Sequence, residues 1–211
     1  MNPPVRLDLE GPAGRIEALH EEPPSAPRFA ALVLHPHPLF GGTMHNHATY
    51  QIAKAARAQG GATLRMNFRG VGLSAGSHAG GAGEAEDARA ALAWLGSRHP
   101  GLPLVAGGMS FGASVALRAG CAGPEAAGVL AAGLALHLRP DLSQPCAKPV
   151  AAVQAENDEF GAPDEVRPLL ARWQGPSRLW VVAGATHLFL EDLPALQRAA
   201  QAAWAWLLGE A

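Results

Sequence analysis

From Phe29 to Leu34 the chain reads FAALVL, an unbroken apolar run that stops at His35-Pro36. Such a run fits a strand buried on both faces. Before it, Val5 to Leu9 alternates apolar and polar positions, Gly11 to Gly14 reads as a turn, and Arg15 to His20 reads as a second strand. Together they predict an N-terminal hairpin. Glu21 to Pro27, with its prolines, is expected to be a loop. After Leu34 the pattern alternates. Helical spacing predicts helices over His47–Gln59, Glu84–Arg98, Phe111–Ala119, Asp164–Trp173 and Pro194–Leu208. Short apolar runs predict strands over Ala62–Phe68 and Leu104–Gly107, within Ala127–Leu136, and over Val150–Gln154 and Leu179–Val182. Trp204 and Trp206 sit close together in the last helix, where one is expected to pack on the sheet and the other to be partly exposed.

An antiparallel start followed by repeated β-α-β units predicts an α/β fold: a mostly parallel twisted sheet with helices on both faces. Right-handed crossovers bring every strand-to-helix loop to the carboxyl edge of the sheet, where sites in open α/β sheets lie. The candidate chemistry is therefore sought in those loops.

Composition narrows the function classes. The 211 residues suit a single domain spanning the whole chain. With 48% hydrophobic and 16% charged residues, a disordered polymer is excluded. A net charge of −2 offers no electrostatic reason for a nucleic-acid partner. No apolar stretch approaches the ~18 residues of a bilayer span, and Met1 to Glu10 lacks a signal-peptide pattern. Cys121 and Cys146 cannot form a disulfide scaffold and are expected to be reduced, which points to the cytoplasm.

Gly108-Met109-Ser110-Phe111-Gly112 matches G-x-S-x-G and sits between an expected strand and an expected helix, the setting of a nucleophile elbow. A serine hydroxyl needs a base. His187, just after the strand Leu179–Val182, lands at the same edge. A carboxylate should orient the base. Asp158 is the candidate, with Glu156 and Glu159 as rivals and Asp141 and Asp164 as weaker ones. The oxyanion needs two N–H donors. One is assigned to Phe111; the other belongs to the loop after Leu34, where Pro36 and Pro38 have no N–H and His37 and Leu39 remain, Leu39 being preferred.

The same loop carries a rival. His35-x-His37 and His45-x-His47 could hold a metal. The second pair falls at the start of an expected helix, and a metal would leave Ser110 and His187 unexplained. His35 and His37 are read as loop posts bonded to backbone, Arg69 as scaffolding, and His20, His78 and His99 as surface residues. Gly70-x-Gly72 lacks the third glycine of a dinucleotide fingerprint.

Five segments in order, HPHPLFGGTMHN, NFRGVGLSAG, GMSFG, AENDEF and GATHLF, resemble those of small capless α/β-hydrolases, in the group of compact hydrolases related to dienelactone hydrolases. The resemblance runs from about Phe29 to Phe189. It implies a Ser110, Asp158, His187 triad that needs no cofactor or metal. Dienelactone hydrolases proper carry cysteine where this chain has Ser110, and Ala155 stands where glycine is usual. The short segment Leu136–Pro149 leaves no room for a helical cap, so an open cleft is expected, walled by Leu39, Phe40, Met109, Phe111, His137, Phe160, Leu188 and Phe189. Such walls suit short-chain or activated carboxylic esters, hydrolysed as small molecules by a monomer or homodimer without nucleic acid or membrane. The alternatives are a thioesterase, amidase or acyltransferase with the same triad, a metal-dependent hydrolase, or a non-catalytic interaction module on the same fold.

Overall fold

A computed structural model describes residues 3–138 and 146–210. Its eight strands, in chain order, are β1 (Val5–Gly11), β2 (Gly14–Glu21), β3 (Phe29–Leu34), β4 (Gly61–Met66), β5 (Leu104–Met109), β6 (Gly128–Ala132), β7 (Val150–Ala155) and β8 (Ser177–Val182). They form one sheet in the order β1-β2-β4-β3-β5-β6-β7-β8. The hairpin β1–β2 joins β4 antiparallel; every later pairing is parallel. Among the described residues the α-helices are α1 (His47–Ala58), α2 (Ala82–Arg98), α3 (Phe111–Ala122), α4 (Pro163–Ala171) and α5 (Leu193–Leu207). The expected α/β architecture with an antiparallel start is the observed one.

The central strands β3, β4, β5, β6 and β7 are buried at every position. Helices cover both of their faces, so both side-chain directions must be apolar or hydrogen-bonded. On one face α1 and α5 contribute Ile52, Leu196 and Trp204. On the other, α2, α3 and α4 contribute Leu92, Leu95, Val115 and Val166. Trp204 is fully buried and donates its indole N–H to Ile52 O at 3.1 Å, tying α5 to α1. Trp206 is half-buried, edge-on to Trp180. Helix starts are capped locally: Asn46 Oδ1 accepts from Thr49 N at 3.2 Å, and Asp192 Oδ1 from Ala195 N at 2.8 Å. No helix among the described residues is long and apolar enough to cross a membrane.

Three expectations are corrected. Cys121 and Cys146 form a disulfide. Cys121 lies in the last turn of α3 and Cys146 just before β7; both the helix end and the strand entry fall at the amino edge, which spacing along the chain does not reveal. The cytoplasmic placement therefore no longer follows from the cysteines. His20 and His99 are buried at 5% and 6% exposure rather than lying on the surface. His78 is half-buried, packed with His37 and Phe111 at ring distances of 4.9 and 5.4 Å.

Candidate active site

Ser110 lies between β5 and α3 with φ 56° and ψ −115°, a conformation that non-glycine residues rarely hold. The turn closes tightly because its flanking residues lack side chains. A Cβ at Gly108 would come within 2.3 Å of the Gly112 backbone, and one at Gly112 within 2.5 Å of the carbonyl oxygens of Leu34 and His35. The Ser110 amide donates to Ala132 O at 2.8 Å, and its carbonyl accepts from Ser114 N at 3.1 Å. These bonds hold the strained residue between two strands and a helix.

His187 lies in the loop after β8. Its ring Nε2 is 2.8 Å from Ser110 Oγ, and its Nδ1 is 2.9 Å from both carboxylate oxygens of Asp158. The carboxylate can only accept, so Nδ1 carries the proton and Nε2 accepts from the serine hydroxyl. Ser110, Asp158 and His187 are 9%, 4% and 4% exposed, so this line is shielded from water yet reaches the cleft at its serine end. The loop is pinned on both sides of the histidine. Thr186 donates its hydroxyl to Glu191 at 2.6 Å, and Phe189 N donates to Thr186 O at 2.9 Å.

Asp158 is held from three directions. Besides His187, it accepts from Phe160 N at 3.0 Å and from the side-chain amide of Gln154 at 2.8 Å. Gln154 is fully buried on β7, and its Oε1 accepts from Leu134 N at 2.9 Å. Sequence reading passed over Gln154, although a buried glutamine in an apolar strand must find partners. The rival acids point elsewhere. Glu156 accepts from Gly184 N at 2.7 Å, Glu159 from the backbone N–H of His187 at 3.4 Å, and Asp164 lies on the surface beside Arg167. Asp141 lies outside the described residues.

The loop after β3 forms one wall. His35 donates from Nδ1 to Pro36 O at 2.7 Å and accepts Phe68 N–H at Nε2, 3.0 Å away, so both ring nitrogens are used on backbone. Burial pushes its pKa down to about 4. His37 Nδ1 accepts from Leu39 N at 3.3 Å. His45 and His47 are exposed, and among the described residues no three ligand atoms of His35, His37, His45 and His47 come together. Arg69 forks onto Asp87 at 2.7 and 2.8 Å, which engages its guanidinium in scaffolding.

A cleft of about 490 Å³ opens above Ser110 and His187. Phe40, Phe111, Leu138, Phe160 and Leu188 give it an apolar lining, with His37, Asn46 and Glu159 as polar residues beside the serine and histidine. Four expected wall residues are placed elsewhere. Met109 and Phe189 are fully buried in the core: Met109, the last residue of β5, packs in the cluster under α1 and α5, and Phe189, at φ 57°, turns inward to the same cluster. Leu39 projects into solvent at 68% exposure, outside the lining. His137 is exposed and pairs with Glu165 at 2.9 Å. Asn46, Ala135, Leu138 and Glu159 also line the cleft without having been expected as walls, although Asn46 stands within the HPHPLFGGTMHN segment.

An uncharacterized protein of Rickettsia prowazekii is 36% identical over 195 residues, which cover 87% of this chain and 82% of that protein. A Xanthomonas campestris structure described as an α/β serine hydrolase without lid is 33% identical, with a TM-score of 0.87 over 96% of this chain and 94% of its own. The chain belongs to the α/β-hydrolase family. An α/β serine hydrolase homologue from Coxiella burnetii is also similar, at 29% identity and a TM-score of 0.86, covering 94% of this chain and 96% of that one. No family model matches the chain. As an α/β-hydrolase it carries its Ser110 elbow, His187 loop and Asp158 strand end at the carboxyl edge of the sheet, where this hydrolase fold places its chemistry.

Proposed function

We propose that this α/β-hydrolase is a serine carboxylic-ester hydrolase acting through Ser110, His187 and Asp158. The observation that carries this reading is the continuous line from Ser110 Oγ through His187 to Asp158, at 2.8 and 2.9 Å, opening into an apolar cleft. His187 takes the hydroxyl proton at Nε2 as Ser110 Oγ attacks the ester carbonyl. Asp158 holds the imidazole in its tautomer and stabilises the imidazolium. The tetrahedral oxyanion is held by the Phe111 amide and by a second donor in the loop after β3. The candidates there are the backbone amides of His37 and Leu39, and Leu39 N also donates to the His37 ring. His187 returns its proton to the leaving alcohol. Water, activated by the same imidazole, then hydrolyses the acyl-enzyme. Every step uses protein groups and water.

The lining supports esters over coenzyme A thioesters and over acidic lactones. Both of those substrates carry anionic groups, yet among the described residues no lysine or arginine lines the cleft, and Glu159 would repel an anion. The apolar walls suit short acyl groups with neutral alcohols. A panel of p-nitrophenyl esters, thioesters and anilides tests the assignment. Hydrolysis is expected to be fastest for acetyl to butyryl esters, with a fluorophosphonate adduct on Ser110. A protein that takes no adduct and turns over nothing is instead an interaction module on this fold.

A further inference from the structure

At the amino edge of the sheet, opposite Ser110, three side chains converge that ester chemistry does not use. His20 lies near the end of β2, Glu22 follows that strand, and His99 caps the C-terminal end of α2. His20 Nε2 and His99 Nε2 are 3.2 Å apart, and each is 3.8 Å from Oε1 of Glu22. Both imidazoles are buried, and Trp94 stands edge-on to His20 with ring centroids 5.3 Å apart. Their orientation is thus held by packing, and burial favours the neutral rings that can offer a lone pair.

The triangle has the size of a metal's ligand set. The point equidistant from the three atoms lies about 2.1 Å from each, inside the range for zinc bound to histidine nitrogen and carboxylate oxygen. Among the described residues, no other trio of His, Cys, Asp or Glu brings its ligand atoms together in this way. We infer that His20, His99 and Glu22 bind a divalent transition-metal ion of the zinc type, with water completing a fourth position. Two imidazoles and one carboxylate suit that class better than magnesium or calcium, which take oxygen ligands.

The surroundings define the site further. Glu21 is committed to Arg57 and Arg65 at 2.9 and 2.8 Å, so it is not a fourth ligand. Arg98 lies 3.7 Å from Glu22 Oε1, but its side chain is 58% exposed and can withdraw into water when an ion takes the carboxylate. The ion would staple the N-terminal hairpin to the end of α2, elements distant in sequence. It would therefore act on stability rather than on the chemistry at the opposite edge.

The test uses the full chain after dialysis against a strong chelator. Zinc chloride is titrated calorimetrically, thermal unfolding is followed with and without zinc, and cobalt(II) absorption reports the ligand geometry. The expected result is one ion per chain, a rise in Tm with zinc, and affinity weakened at least tenfold in both Glu22→Gln and His99→Gln. Glu22 is half-exposed, so its isosteric change leaves the fold intact if His99→Gln does not. His45→Gln should bind as the parent does. No uptake by the parent chain, or uptake unchanged in Glu22→Gln, would overturn the assignment.

Discussion

Gln154 donates its side-chain amide to Oδ2 of Asp158 at 2.8 Å, so the carboxylate that faces His187 is fixed from behind by a fully buried residue of β7, four positions earlier in the chain. The same side chain accepts from Leu134 N and donates to Gly161 O, joining the loops after β6 and β7. Replacing Gln154 by Ala should lower kcat by about 10- to 100-fold, the usual cost of losing a residue that orients a functional ligand or base. It should also destabilise the chain by about 1–3 kcal/mol, because the Leu134 amide is left buried without a partner. Steady-state kinetics and denaturant unfolding of the variant measure the two effects separately.

The acids can be ranked by the same kinetics. Asp158→Asn removes the anion that holds His187 in its working tautomer and should cost on the order of 10⁴-fold in kcat. Glu156→Gln and Glu159→Gln should each cost far less, since these carboxylates accept from backbone amides and not from the imidazole. A crippled Glu159→Gln beside an active Asp158→Asn would reassign the acid.

His35 makes stability depend on pH. Its folded pKa of about 4 lies below the unfolded value near 6.5, because burial disfavours the charged ring and the bond to Pro36 O offsets this only in part. The unfolded chain therefore binds the proton more readily. This contribution is fully present above about pH 6.5 and is lost as the pH falls towards 4, by up to about 3 kcal/mol. The buried His20 and His99, whose pKa values are also lowered, act in the same direction. Urea unfolding at a series of pH values between neutrality and pH 4 measures the slope.

Much of this organisation was legible in the residues themselves. The run FAALVL fits a strand buried on both faces, and it is β3 to the residue. Gly108 and Gly112 around Ser110 identified the elbow because only glycine fits there, as the clashes of an added Cβ make plain. What escaped lies in contacts between elements. Periodicity does not say that the end of α3 meets the entry to β7, so the Cys121–Cys146 pair was misread. It does not show His20 and His99 meeting across β2 and α2 either. Met109 and Phe189 were misplaced for a simpler reason. Each adjoins a cleft residue, Ser110 or Leu188, but the positive φ of Ser110 and of Phe189 turns the backbone there, so closeness in sequence does not bring the side chain to the cleft.

The disulfide has its own consequence. It closes a loop with a sequence separation of 25, and removing it should destabilise the chain by about 3 kcal/mol through added freedom of the unfolded state. Cys146→Ser, or the parent chain in reductant, should therefore melt at lower temperature while keeping its turnover per folded molecule. A melting temperature indifferent to both would mean that the bond makes no contribution in solution.

The account rests most heavily on Ser110 as the nucleophile, and its most direct test is the kcat/KM of Ser110→Ala on a short-chain p-nitrophenyl ester. The variant removes one hydroxyl, and the His187 Nε2 it leaves still borders the cleft and its water, so its melting temperature should stay close to the parent's. Its activity should fall on the order of 10⁶-fold, as when a triad serine is removed. Retention of more than about a tenth of the parent activity, a difference of under about 1.4 kcal/mol at the transition state, would contradict the serine mechanism.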